Sequence, residues 1–227
     1  MIRSFWLCAC LASAVLSFYC FRGAASELYH RAGLSEAQRQ PSSTVAHRAF
    51  GLAARLSPWT SERWVWVAHS DAARGDFPGM LQSSREAIRW APADARLWMY
   101  HLQQLAFSIP KGPELKTTLE RVQTLSPASQ SMHLAKALLG IQIWSLASYD
   151  FRQETIRSAQ FVLENNPALL YRGLTRSRTE PLACSFVGSQ LNLEKWCQTI
   201  TALRKRCDNP GLDDKSLNWC KTQGLRP

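Results

Sequence analysis

Residues 59–92 read WTSERWVWVAHSDAARGDFPGMLQSSREAIRWAP, and the fold turns on this stretch. The run Gly75-Asp76-Phe77-Pro78-Gly79 is turn chemistry. It separates a helix-like pattern carrying Trp64 and Ala68 from a second one carrying Ala87 and Ile88. The second pattern stops at Ala91-Pro92, as helices tend to stop at the residue before a proline. The same punctuation recurs outward. Leu-Ser-Pro58, Trp-Ala-Pro92 and Leu-Ser-Pro127 stand 34 and 35 residues apart, and Asn-Asn-Pro167 follows after 40. Trp64 and Trp98 each fall six residues after a proline, while Ala53/Leu56, Ala87/Ile88 and Val122/Leu125 lie ahead of one. A period near 34 with helix, turn, helix and closing proline predicts an all-α stack of helical repeats.

Composition agrees with a packed helical chain. The protein has 227 residues, 46% hydrophobic and 19% charged, which suits one domain with a buried core and excludes collagen, a coiled-coil rod and a polytopic membrane protein. Net charge is +10, and the basic residues are scattered apart from Arg172/Arg176/Arg178 and Arg204-Lys205-Arg206. Anionic lipid and acidic polysaccharide are the partners such a surface suits outside the cytoplasm. Nucleic acid is not expected, because no base-reading motif accompanies the charge.

Phe5 to Phe21 contains no charge over 17 positions, between Arg3 and Arg22. That is the lower limit for a membrane-spanning helix and long for a signal-peptide core, so the expectation is a single span through the inner membrane, with a cleaved signal as the alternative. Flanking charges favour a cytoplasmic carboxyl domain, but the cysteines argue the other way. Cys8, Cys10 and Cys20 sit in the apolar run, and the remaining four, Cys184, Cys197, Cys207 and Cys220, cluster near the carboxyl end without a C-x-x-C pair. An even, clustered set of this kind predicts two disulfides and a periplasmic soluble part. Two cysteines ten residues apart on one helix lie ~15 Å apart, so Cys197 and Cys207 do not bond to each other. Antiparallel packing around Asn192 favours Cys184–Cys197 with Cys207–Cys220; Cys184–Cys207 with Cys197–Cys220 stays open.

Residues 59–92 resemble one unit of the tetratricopeptide family, with Trp64, Ala68, Ala87 and Pro92 at signature positions. Residues 93–127 resemble a second, with Leu102 where a small residue is usual, and 128–167 a looser third. Ile109-Pro110-Lys111-Gly112-Pro113 is the expected turn of the second unit, and before Pro58 only a second helix, Val45 to Leu56, is recognised. The resemblance implies a partner groove formed by Glu62, Val65, His69 and Ala72 of the first unit and Arg96, Met99, Gln103 and Ala106 of the second. Packing is the expected role of Trp64 and Trp98. The organisation expected is an anchor or signal over 1–22, a stalk or first helix over 23–44, repeats over 45–168 and a Cys-containing cap over 169–227. Within the cap, a polar stretch from Leu169 to Pro181 precedes helical patterns at 182–191, 193–207 and 213–222, with a separator at 208–211.

Length, anchor and helical middle also resemble the VpsP-type proteins of bacterial exopolysaccharide clusters. This implies a noncatalytic scaffold, binding a protein partner, in polysaccharide synthesis or export. An adaptor of a secretion or pilus machine is the alternative, and a cell-wall glycan enzyme stands third. No catalytic residue, cofactor or metal site is expected: H-E-x-x-H, G-x-S-x-G and both glycine-rich nucleotide motifs are missing. His69, His101 and His133 are spaced by 32, but in the repeat register they drift to different helix positions.

Overall fold

The computed structural model describes residues 2–108, 112–208 and 213–222, with side chains described throughout these ranges except at 2–9, 217 and 219. Among the described residues every regular element is an α-helix. The turn expected at 109–113 and the separator at 208–211 lie largely outside this range, as does the side chain of Cys8. The chain forms two compact units, Met1–Gln104 and Leu105–Pro227.

In the first unit α1 (Ile2–Arg39), α2 (Thr44–Leu56), α3 (Ser61–Ala73), α4 (Phe77–Trp90) and the start of α5 (Ala95–Ser108) follow one another through short turns. α1 supplies the helix missing from the sequence pattern before Val45: its second half packs along α2, and Ser26 donates to the Ala53 carbonyl at 2.8 Å. Contact is close here. A Cβ on Gly33 would stand 2.7 Å from the Phe50 ring, so only glycine lets the two helices approach this far. The first half of α1 has no such cover. Leu11, Val15, Leu16, Phe18 and Phe21 are all more than half exposed. Among the described residues, no helix is long and apolar enough to cross a membrane.

The proline period is a repeated joint. Ser57, Ala91 and Ser126 each end a helix in the same non-helical geometry, φ −132°, −142° and −148° with ψ 68°, 67° and 56°. Proline after them disfavours the helical region. Each then accepts a hydrogen bond from the residue three further on: Thr60, Asp94 and Ser129. Pro58, Pro92 and Pro127 thus occupy the second position of a β-turn, where their fixed φ is favoured. Six residues later a ring nitrogen reaches back to the proline carbonyl. Trp64 Nε1 bonds Pro58 O at 3.0 Å, and Trp98 Nε1 bonds Pro92 O at 2.8 Å. In the third joint His133 Nε2 takes the place of the indole, 2.9 Å from Pro127 O. The meaningful histidine is therefore the one that continues the tryptophan series.

In the second unit α6 (Pro113–Leu125), α7 (Gln130–Gln142) and α8 (Tyr149–Asn165) lead into the carboxyl segment. α7 and α8 pack tightly: a Cβ on Gly140 would fall 2.7 Å from Thr155 Cβ. Lys136, almost wholly buried, pairs with Glu154 across them at 2.9 Å. The stretch read as polar from Leu169 to Pro181 is instead helix α9 (Pro167–Ser177). Asn166 caps it by accepting from Leu169 N, and Pro167 opens its first turn. Leu170 and Leu174 are buried one turn apart, while Arg172, Arg176 and Arg178 face solvent. The pattern read at 182–191 is a shorter helix, α10 (Glu180–Phe186), followed by turns; α11 (Glu194–Cys207) and α12 (Asp214–Thr222) complete the chain.

Cys184–Cys197 and Cys207–Cys220 are the disulfides present. Asn192, at φ +53°, turns the chain between α10 and α11 so that the first pair meets. Ala183, Val187, Leu191 and Leu193 share one core with Ala137, Ile141, Ala159 and Val162, against which Leu138 and Phe161 also pack. The carboxyl segment therefore covers the last hairpin, and the buried Glu180 carboxylate holds Arg204 of α11 against α10.

Two outcomes are expected. Unreduced peptide mapping yields the 184–197 and 207–220 links, and Cys184→Ser with Cys197→Ser lowers unfolding free energy by about 2–3 kcal/mol for a loop this short. Trp98→Phe, which keeps the ring and removes the N–H, costs ~1 kcal/mol in denaturant titration, and Trp98→Ala costs more. A silent Trp98→Phe would show that the joint contact is not stabilising.

Candidate functional site

Helices α1, α2, α3 and α5 carry a continuous series of rings in the first unit. His30 lies 5.8 Å from Phe50 and 5.9 Å from Trp66, centroid to centroid. Phe50 stacks on Trp66, Trp66 meets His69 at 5.7 Å, and His69 meets Tyr100 at 4.9 Å. Spacings of this size are within the range of favourable aromatic pairs. Arg63 of α3 pairs with Glu27 of α1, which also holds Arg31 at 2.7 Å. The rings and this cluster fix the side-chain positions along these helices.

At one end of this series the first turns of α3 and α5 border an open cleft of about 460 Å³, lined by Ser61, Glu62, Val65, Asp94, Arg96, Leu97 and Tyr100. Asp94 accepts from the Arg96 backbone N–H at 2.9 Å and from its guanidinium at 3.1 and 2.8 Å. These bonds, Arg96's side chain first, hold the Asp94 carboxyl below the usual range. The lining thus combines the Asp94–Arg96 charge fork, the exposed Glu62 and the apolar Val65 and Leu97. Such a site offers both signs of charge around a small apolar patch, which suits a peptide or a helix face better than a small reactive substrate.

The expected groove residues divide. Glu62, Val65 and Arg96 line the cleft. His69 is in the ring series next to it, exposed along one edge. Gln103 is half-buried and does not line the cleft, and Ala72 is likewise half-buried. Met99 and Ala106 are buried core residues, 4% and 0% exposed, and offer a partner nothing. Ser61, Asp94, Leu97 and Tyr100 line the cleft without having been expected. Their signal was available for Asp94 alone, as a capping residue two positions after Pro92.

The three evenly spaced histidines have separate environments. His101 is buried with Nδ1 2.7 Å from Ser84 Oγ, His69 lies among rings, and His133 closes the third joint. Among the described residues no group of three or more His, Cys, Asp or Glu could hold a metal ion. Of the two basic clusters, Arg204 turns to Glu180, while Arg172, Arg176 and Arg178 stay exposed. No protein-family model matches the chain, and no curated protein matches it.

Burial lowers the basicity of His69, and burial together with Arg63 does the same for His30. A folded value below the ordinary 6.5 means that the neutral ring's contribution is fully present above that pH and is lost as pH falls through the folded value. Asp71, buried on α3 and bonded by Ser83 at 3.1 Å, is shifted upward by burial, so protonating it works in the opposite sense. The melting temperature should therefore drop between pH 7 and 5, and His69→Gln should flatten that drop. An unchanged slope in His69→Gln would show that its ring is not part of the folded unit's pH response.

Proposed function

We propose that the protein is a noncatalytic, membrane-anchored adaptor with a tetratricopeptide-like repeat stack in the periplasm. It holds a protein partner of an envelope assembly, with exopolysaccharide synthesis or export as the assigned process. The observation that carries the partner-binding reading is the cleft between the first turns of α3 and α5. It is open, flanked by Glu62 and by the Asp94–Arg96 fork, and built on helices held rigid by the ring series.

Support for the anchor comes from the uncharged run Phe5–Phe21 and from the exposure of its apolar side chains where they are described. The described side chains of that run begin at Cys10, which leaves twelve residues, fewer than a span requires. Residues 5–9 bring it to the 17 read in the sequence. The two carboxyl-terminal disulfides support an oxidising compartment.

The test is made in the native host. Deleting the gene is expected to abolish surface polysaccharide, and Glu62→Lys with Arg96→Glu is expected to accumulate normally yet fail to restore it. Full restoration by the double variant overturns the cleft reading. Intact polymer in the deletion strain, with loss of secretion or pili instead, transfers the adaptor to that machinery. A reporter active only outside the cytoplasm, fused after Pro227, is expected to be active.

A further inference from the structure

The end of the first unit from which the apolar helix emerges differs from its opposite end. α1 and α2 run antiparallel, and Arg22 Nη2 donates to the Arg55 carbonyl in the last turn of α2 at 2.9 Å. Everything before Arg22 therefore extends beyond that end. Helices α2, α3 and α4 alternate in direction through short turns, so the α2–α3 and α4–α5 turns lie at this same end. The cleft, lined by the first turns of both α3 and α5, places them together independently.

Two kinds of tryptophan occur here. Trp64 and Trp98 turn inward and bond the proline carbonyls. Trp59 and Trp90 turn outward, 44% and 41% exposed, and neither indole N–H has a hydrogen bond among the described residues. Trp59 meets the Tyr19 ring edge-on at 5.7 Å. The Arg22 guanidinium lies 5.5 Å from the Phe18 centroid and 5.6 Å from that of Trp59. Arg89 stands 6.0 Å over Trp90. The acids at this end are largely engaged: Arg96 holds Asp94 and Arg89 holds Glu86, leaving Glu62 exposed. The α3–α4 turn at the opposite end presents one exposed aromatic, Phe77, and no tryptophan.

We infer that this end of the first unit, through Trp59 and Trp90 with Arg22, rests in the headgroup layer of the phospholipid bilayer. The inference rests on the membrane-anchor reading of residues 5–21 and adds to it where the repeats sit. α1 is one continuous helix, so the level of its residues fixes the level of whatever packs on it. From Arg3 to Arg22 the helix rises about 28 Å at 1.5 Å per residue. That matches a hydrocarbon core of ~30 Å and sets Arg22 at the boundary. Tyr19 and Trp59, packed together beside Arg22, are then at that boundary too. Tryptophan and tyrosine concentrate there because the ring is apolar while its N–H or O–H needs a polar partner, which ester and phosphate oxygens supply. Arginine at the same depth reaches phosphate directly.

The full chain, reconstituted in vesicles of phosphatidylethanolamine and phosphatidylglycerol, tests this with a photoreactive benzoylphenylalanine at position 16, 59, 90 or 77 in turn. Illumination followed by mass spectrometry is expected to give phospholipid adducts at 16, 59 and 90 and none at 77. Adducts at 16 without adducts at 59 and 90 overturn the inference and leave the anchor standing. No adduct at 16 overturns the anchor and the inference with it. Adducts at 77 as strong as those at 59 overturn the oriented contact. In a second readout, headgroup-nitroxide lipid quenches tryptophan emission of the unlabelled chain, and Trp59→Phe with Trp90→Phe is expected to lower that quenching. Unchanged quenching overturns the contact of these two indoles with the headgroups.

Discussion

The bias that proline imposes on the residue before it shapes four joints of the chain. Ser57, Ala91, Ser126 and Asn166 all leave the helix at φ between −132° and −157°, because the proline ring that follows disfavours the helical alternative. Without that stop the second helix of each hairpin would run on, and the next first helix could not fold back. The proline carbonyl then becomes an anchor. A ring N–H six residues later seeks it, closes the joint and fixes how the next helix departs. Backbone sterics make the corner, and one side-chain hydrogen bond holds it.

Between the joints both units combine apolar packing with buried polar pairs: Asp71 with Ser83 and His101 with Ser84 in the first, and Lys136 with Glu154 beside a core of Ile141, Val162, Leu170 and Leu174 in the second. Burial alone would raise the Glu154 carboxyl, but bonds from Lys136, Gln123 and Ser158 hold it below the ordinary value. Lys136, although buried, is therefore paired, and breaking such a pair typically costs about 3–5 kcal/mol. Glu180 and Arg204 repeat the device in the carboxyl segment. There the two disulfides supplement a modest apolar core, with Ile200, Cys207 and Cys220 forming a small cluster of their own.

α1 joins two environments in one element. From Ser26 onward it is an ordinary repeat helix, with Ser26, His30 and Gly33 buried against its partner. From Cys10 to Phe21, where its side chains are described, every one is exposed and most are apolar. A helix hydrophobic all round asks for an apolar environment on every face, whereas its continuation asks for one partner. The Arg22 side chain, bonded to the α2 terminus and lying over Trp59, marks the change.

The sequence by itself determined what rests on local sterics and spacing. Proline positions set the joints, Trp64 and Trp98 set the register, and four clustered cysteines set a stapled carboxyl end, because each signal acts within a few residues of where it is written. The extent of the first hairpin was less legible, since α1 changes from all-round apolar to one-sided burial without a break, and composition alone gives no boundary. α9 was hidden because Arg172 and Arg176 on its outer face, with Arg178 at its cap, outweighed Leu170 and Leu174 on its inner one. Position 133 stands six residues after Pro127, as the tryptophans do after their prolines, but only the tertiary structure showed that a histidine ring nitrogen closes the joint there, since that depends on its distance from the Pro127 carbonyl. The tertiary structure also decided the cleft. Glu62, Val65 and Arg96 reach it while Met99 turns inward, because neighbouring helices dictate which face of α5 is covered, and no spacing within α5 can report that.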